Sequence, residues 1–427
     1  MQIINNPNKS EWEALLERPT QTVNDIEGIV NDVFMDVKNN GDSAIKKYTT
    51  KFDGVALSNH CITKAELEQA STLVAPELQK AIQQAKQNIE AFHSAQKTNR
   101  VSVETTSGVA CWQEKRPIQK VGLYIPGGTA PLFSTVLMLA TPANIAGCKE
   151  IVLCTPPNKK GDIAPEIMYA AHLCGVTKIF KVGGIQAVAA LTFGTETIPQ
   201  VYKIFGPGNQ FVTVAKQLAT KHGVAIDMPA GPSELLVVAD NTADAGFVAS
   251  DLLSQAEHGK DSQVILVSTS RSLLDDVSKE VASQMAVLPR KDIAELAIAN
   301  SKLIYVDNDD LALEMINMYG PEHFIVCTKN EDFYVDGILN AGSVFIGNYT
   351  PESAGDYASG TNHTLPTNGF TKAYSGVNLD SFTKSITFQE ISEQGIKNIG
   401  TSIEIMAEKE GLFAHKNAVT LRLNNIN

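Results

Sequence analysis

Four of the eight histidines stand among residues that could share chemistry with them: His258, His323, His363 and His415. In Tyr319-Gly320-Pro321-Glu322-His323, a carboxylate and an imidazole lie side by side after a Gly-Pro turn, at the edge of an apolar run. Such a pair can serve two proton transfers of different kinds. Gln255 and His258 are three apart near the end of a helix expected over residues 244–258 and stopped by Gly259, so they share one face, as two ligands of one metal would. Glu257 is the competing ligand, but it points about 100° away from His258 on a helix. Asp356 and His363 lie in a long polar loop, and Glu410 and His415 lie in KEGLFAHKNAVTLR near the C-terminus. An oxygen ligand from such a loop, added to imidazole and amide ligands, would complete a zinc site without thiolates. Each group also fits an ordinary polar turn or helix surface. His60, His93, His172 and His222 have no polar cluster around them.

Three Gly-rich segments add a second kind of chemistry. GLYIPGG (122–128), VGGIQA (182–187) and FGPGN (205–209) each follow an expected strand and precede an expected helix, where phosphates or riboses meet helix N-termini. None is G-x-G-x-x-G, because Phe211 stands where Gly206-x-Gly208 would need a third glycine. A dinucleotide bound here would be held without the usual fingerprint.

These groups need a scaffold, and the chain is long enough to supply one. Its 427 residues, 43% hydrophobic and 19% charged, can bury a large core without disulfides or a metal staple. The net charge of −12, from 35 basic and 47 acidic residues, leaves no basic footprint for nucleic acid and no cationic patch for anionic lipid. A small molecule is the expected partner. The N-terminal residues lack a signal-peptide pattern, no run of about 18 apolar residues occurs, and six cysteines without a C-x-x-C pair fit neither a disulfide framework nor a thiolate zinc site. The expected compartment is the cytoplasm.

The first hundred residues read as helical: a short helix capped by Ser10 and Glu13, a second ending at Asn39-Asn40-Gly41, and a longer polar one over roughly 64–97. Short apolar runs then alternate with helical stretches. Strands are expected at 121–126, 150–155, 178–183 and 202–205, then at 234–240, 263–268, 303–307, 323–328 and 343–347. Two tandem βαβ series imply an α/β fold of two doubly wound, Rossmann-like parallel-sheet domains with small helical N- and C-terminal segments. The expected division is an N-terminal helical segment (1–24), a first domain with the metal and acid/base residues (25–123 and 235–378), a second, dinucleotide-contacting domain (124–234) and a helical C-terminal segment (379–427). That last segment lacks the apolar faces for its own core and is expected to pack on a second subunit. The seam at 228–234 reads as a hinge and cleft wall. From these residues alone, three functions stay open: a zinc and dinucleotide dehydrogenase, a zinc hydrolase with Glu322 as base, and a two-lobed solute-binding protein.

Taken in order, RPIQKVGLYIPGGTAPLFSTVLM (116–138), VGGIQAVAALTFGTET (182–197), KIFGPGNQFV (203–212), DMPAGPSE (227–234), SDLLSQAEHG (250–259), YGPEH (319–323), GSVFIGNYTPESAGDYASGTNHTLPT (342–367) and AHKNAVTLR (414–422) closely resemble the histidinol dehydrogenase family. The resemblance implies oxidation of L-histidinol to L-histidine through histidinaldehyde, with two NAD and one zinc ion per subunit. It implies Gln255, His258, Asp356 and His415 as zinc ligands, Glu322 and His323 as the acid/base pair, and Tyr124, Gln186 and Asn209 as NAD contacts. Ser233, His363 and Glu410 would line the substrate site beside the metal ligands and His323. It further implies a homodimer with shared active sites, the C-terminal segment crossing to the other subunit. A competing route to the acid, through a cysteine thiohemiacetal, would draw on Cys111, Cys148 or Cys154; all three lie in or next to apolar runs rather than beside a base.

Overall fold

The computed structural model describes residues 1–19, 24–127 and 130–426. Gly128 of the first Gly-rich segment and residues 20–23 of the expected N-terminal segment lie outside them. The chain divides into two compact units, Met1–Ala95 with Ile118–Phe382, and Gln96–Pro117 with Thr383–Asn427.

The first unit contains two parallel sheets. One has five strands in the order Lys178–Lys181, Glu150–Thr155, Lys120–Tyr124, Lys203–Phe205 and Ala225–Ile226. The other has six, in the order Gln2–Asn5, Lys302–Tyr305, Gln263–Ser268, Glu234–Ala239, His323–Cys327 and Ser343–Ile346. Both are doubly wound, since chain order reverses direction between Lys120–Tyr124 and Lys203–Phe205, and again between Glu234–Ala239 and His323–Cys327. Burial on both faces explains the uninterrupted apolar runs. In Glu234–Ala239, Leu235 and Val237 enter one core while Leu236 and Val238 enter the core on the opposite face.

Helix Ala245–Ala256 follows Glu234–Ala239 and starts where the Asp244 carboxylate accepts the Phe247 N–H at 3.0 Å. As the return leg of a βαβ unit it runs against the strands, so its last turn, with Gln255, reaches their amino ends. In the other lobe, helices Phe133–Ala146, Gly184–Phe193 and Gln210–Lys221 begin at the carboxyl ends of the five-stranded sheet.

The N-terminal third differs from the sequence reading in several places. Gln2–Asn5 is a strand that pairs in parallel with Lys302–Tyr305; four residues at a sheet edge are too few to show a period. The first turn is closed by the Glu11 carboxylate accepting the Asn8 N–H at 2.8 Å, not by Ser10 and Glu13. Gly41, at φ +49°, kinks the helix Asn24–Tyr48 instead of ending it. The polar stretch after it forms two helices, Lys64–Leu73 and Pro76–Ala95. The sequence pattern groups residues 25–123 with the six-stranded sheet, yet Val30, Phe34, Ile82 and Ile89 lie in the cores of the five-stranded one.

The second unit is an antiparallel sheet with Val109–Pro117 between Val101–Thr106 and Thr383–Ile391, joined to two helices, Glu393–Lys409 and Phe413–Asn425. Trp112 stacks on Phe388 with ring centres 5.3 Å apart. The expected helical tail therefore contains, after a short turn at Leu379–Phe382, a nine-residue strand before its helices. Helix Phe413–Asn425 buries none of its residues, and Met406, Phe413 and Leu421 are exposed.

Candidate active site

Glu322 and His323 enter the six-stranded sheet where its strand order reverses, at the amino end of His323–Cys327. Sites in open parallel sheets favour the opposite edge. Here the amino edge is furnished by the Ser233–Glu234 approach to the neighbouring strand, by the end of helix Ala245–Ala256 and by helix Glu352–Tyr357.

Glu322 and His323 are buried, 6% and 3% exposed. Both are held by one neighbouring residue: the Glu234 N–H donates to Glu322 Oε2 at 2.8 Å, and the Glu234 carbonyl lies 3.1 Å from His323 Nδ1. A carbonyl can only accept, so Nδ1 carries the proton and Nε2 is bare. Nε2 is buried without a hydrogen-bond partner among the described residues. Asp356 Oδ1 lies 3.8 Å from it, and Glu352 Oε1 lies 3.7 Å from Nδ1. Burial lowers the His323 imidazole to about 4 against the pull of Asp356, and the nearby charges of His258 and His363 oppose its protonation further.

Three groups in this cluster, on His323, Glu352 and Asp356, offer ligand atoms within 4.8 Å of one another. Glu352 is 1% exposed, and the Gln255 side-chain amide faces both of its oxygens, which as acceptors call for the amide nitrogen on that side. Burial drives the Glu352 carboxyl well above the ordinary range, and the charges of Asp356, Glu322 and Asp251 push the same way. Burial also raises Glu322, more than the Glu234 N–H lowers it. Buried carboxyls crowded together in this way are what a metal ion would ionise and stabilise.

His363 closes the cluster on the other side. Its Nδ1 lies 3.0 Å from the Asp356 carbonyl, and its Nε2 lies 3.2 Å from Thr135 Oγ1 in the first turn of helix Phe133–Ala146. A chain of contacts thus joins Gln255, Glu352, His323, Asp356 and His363, with Glu322 beside it. His258, exposed just past the helix end, acts on His323 and His363 by charge. Ser233 is half-buried next to Glu234. Glu410 and His415 belong to the second unit, where Glu410 caps helix Glu393–Lys409, His415 lies in the first turn of Phe413–Asn425, and both are exposed.

Glu352 was absent from the sequence reading, although it stands four residues before Asp356 on one helix, a spacing that puts two carboxylates on one face. Arg18 and Glu234 were missed as well; nothing local in the sequence pairs residues 216 positions apart.

The three Gly-rich segments converge at the carboxyl edge of the five-stranded sheet around a cavity of about 910 Å³. Tyr124, Gly184 and Asn209 line it. The Tyr124 hydroxyl accepts the Gly184 N–H at 3.1 Å, and Asn209 caps helix Gln210–Lys221 by accepting from Val212 N–H at 3.1 Å. Gln186 is buried; its Nε2 lies 3.4 Å from Asp53 Oδ2, and its Oε1 has no partner among the described residues. Gly206, at φ +125°, has no room for a Cβ, which would lie 2.0 Å from the Tyr124 carbonyl oxygen.

The six cysteines are free thiols. Burial pushes Cys148 and Cys327 up to about 12 and Cys154 beyond that.

The histidinol dehydrogenase family model matches residues 16–423. The histidinol dehydrogenase of Bacteroides thetaiotaomicron is 58% identical over 426 residues, covering 100% of both chains. That of Shigella dysenteriae is 53% identical over 417 residues, 97% of this chain and 95% of the relative. A crystal structure of histidinol dehydrogenase from Elizabethkingia anophelis, 56% identical, superposes with a TM-score of 0.98 over 100% of this chain and 99% of that one. With sequence and fold in agreement along its whole length, the chain belongs to the histidinol dehydrogenase family and is an NAD-dependent oxidoreductase of histidine biosynthesis.

Proposed function

We propose that this chain oxidises L-histidinol to L-histidine in two NAD-dependent steps, with His323 as the base for both alcohol and hydrate and Glu322 as the base for water. The observation that carries this reading is the bare, buried Nε2 of His323, fixed by the proton on Nδ1 and set beside a second proton carrier. His323 Nε2 takes the hydroxyl proton as the carbinol carbon gives up its hydride. Glu322 takes a proton from the water that adds to the aldehyde, and His323 deprotonates the hydrate for the second hydride loss. Bound at the carboxyl edge of the five-stranded sheet, NAD supplies the hydride acceptor, with Tyr124, Gln186 and Asn209 as its contacts; the unpartnered Gln186 Oε1 suits a ribose or carboxamide donor.

Gln255, His258, Asp356 and His415 would hold one zinc ion per subunit, which supplies a Lewis acid that orients the substrate. Of these, Asp356 lies in the cluster with His323 and Glu352 whose ligand atoms come within 4.8 Å of one another, and its crowded carboxyls and lack of a thiolate suit such an ion. Ser233, His363 and Glu410 would line the substrate pocket with the metal ligands and His323. The working form is a homodimer in which the second unit contributes Glu410 and His415 to the other subunit's site; the unburied helix Phe413–Asn425 and its exposed Phe413 support this. The chain acts in the cytoplasm, in keeping with free thiols and with no described helix long and apolar enough to cross a membrane.

Absorbance of reduced nicotinamide, followed with histidinol and with histidinaldehyde, tests the assignment. His323→Asn should impair both oxidations, whereas Glu322→Gln should impair chiefly aldehyde oxidation, and a chelator should stop histidinol turnover. Equal losses in the two variants on both substrates would refute the division of roles. Mixing inactive His323→Asn and His415→Ala chains should restore activity above either alone if sites are shared; no recovery in verified mixed dimers would exclude sharing.

A further inference from the structure

Behind the acid/base pair lies an ion pair that the reaction steps do not use. Arg18 donates from Nε to Glu234 Oε1 at 2.6 Å and from Nη2 to Glu234 Oε2 at 2.8 Å, a two-pronged contact. Nη2 also donates to the Tyr319 carbonyl at 2.9 Å, and the guanidinium lies over the Tyr319 ring, 3.9 Å from its centre. The side chains are 14% and 2% exposed. The Asn368 N–H donates to Glu234 Oε1 at 2.5 Å. The side chain of Glu234 is thus fixed by three hydrogen bonds from two residues, and the backbone of the same residue holds Glu322 through its N–H and His323 through its carbonyl.

We propose that Arg18 and Glu234 are positioning residues: their buried fork fixes the Glu234 backbone, which in turn orients the Glu322 carboxylate and locks His323 in the tautomer with bare Nε2. Tyr319 and Gly320, held by the same guanidinium, lead directly into Pro321-Glu322-His323, so one side chain fixes both the segment that carries the pair and the neighbouring residue that holds it. A buried ion pair is weak evidence of net stabilisation, because desolvation offsets the attraction. Orientation is what a two-pronged contact at this place supplies, and a shift of about 1 Å in a reacting group can cost about 100-fold in rate.

The inference rests on His323 being the base, and its test separates the two. Nitrogen NMR of histidine-labelled full-length protein, with His323 assigned by difference from His323→Asn, should show one protonated and one bare ring nitrogen. In Arg18→Lys and Glu234→Gln the two signals should move toward an average. With histidinol and NAD, both variants should lose about 10- to 100-fold in kcat with KM changed less than about threefold. Should either fold poorly, the paired replacement Arg18→Met with Glu234→Leu removes the charges together, a change buried pairs often tolerate, and it should show the same loosening and the same loss in kcat. A tautomer still locked in the folded variants overturns the proposal whatever the rate does. A loosened tautomer with unchanged kcat overturns it too, and places the fault in the role given to His323.

Discussion

His363 Nε2 accepts from Thr135 Oγ1 at 3.2 Å, and this contact joins the Glu322–His323 cluster of one lobe to the helix that opens beside the large cavity of the other. The direction follows from the ring's far side. Nδ1 faces the Asp356 carbonyl at 3.0 Å and must carry the proton, so Nε2 is left to receive the hydroxyl hydrogen. Asn362 reinforces the junction by donating from Nδ2 to the Met138 carbonyl, 2.6 Å away on the same helix.

Thr135→Val keeps the shape and removes this hydrogen bond, a loss of about 1 kcal/mol. If His363 contacts the substrate, the KM for histidinol should rise about fivefold, with kcat and the KM for NAD within about twofold. Steady-state kinetics at saturating NAD measures this, and an unchanged histidinol KM would remove His363 from the substrate site.

How much of this was legible in the sequence depends on the range of the interaction. ELLVVA and QVILVS announce themselves as strands because burial on both faces leaves an unbroken run of four or more apolar residues in each. The adjacency of Glu322 and His323, and the Gly-rich turns at Tyr124, Gln186 and Asn209, are local and equally readable. Glu352 was hidden because a carboxylate at 1% exposure looks in sequence like any other acid of a polar loop. Thr383–Ile391 was hidden for the opposite reason: with no residue fully buried, it has no apolar face to reveal its period. The Arg18–Glu234 pair exists only because the two segments meet at the strand-order reversal of the six-stranded sheet.

Lys216 and Asp227 form a buried pair at 2.5 Å, in which Lys216 also donates to the Gly206 carbonyl and Asp227 accepts the Gly206 N–H, both at 2.8 Å. The pair therefore clamps the turn that presents Asn209. Lys216→Met would strand a buried carboxylate and should cost about 3–5 kcal/mol in urea unfolding, with a weaker NAD interaction seen as a raised KM. Adding Asp227→Asn should recover part of the stability. A fall in stability with an unaltered NAD KM would show that the clamp serves folding alone.

Glu66 gives a pH signature. Burial would raise its carboxyl, but hydrogen bonds from Lys181 and from the Thr63 N–H and hydroxyl outweigh this and bring it to about 2, against an ordinary 4.5. A folded value below the unfolded one means that the contribution is complete above pH 4.5 and fades as pH falls toward 2. Glu66→Gln should cost about 1 kcal/mol at pH 7, the scale of a capping box with a partly exposed ion pair, and the gap to the parent should narrow between pH 5 and pH 3. A gap independent of pH would mean that Glu66 acts by packing rather than by charge.

The thiohemiacetal route makes the sharpest competing claim on the second oxidation, because it needs a thiolate beside the aldehyde. Cys154 is fully buried within strand Glu150–Thr155, and Cys148 points its thiol at the Phe382 carbonyl, 3.8 Å away; burial pushes both thiols far above neutrality. Cys111 lies in the sheet of the second unit, and Cys327, on the strand that His323 begins, is raised to about 12 by burial. Cys148, Cys154 and Cys327 cannot present a thiolate at pH 7 without losing their packing. Replacing Cys111, Cys148 and Cys154 together by alanine should leave kcat for histidinaldehyde within about twofold of the parent in the folded fraction, while lowering the melting temperature by the cost of the lost sulfur contacts. A selective collapse of aldehyde oxidation, with alcohol oxidation intact, would transfer the second step from Glu322 to a cysteine.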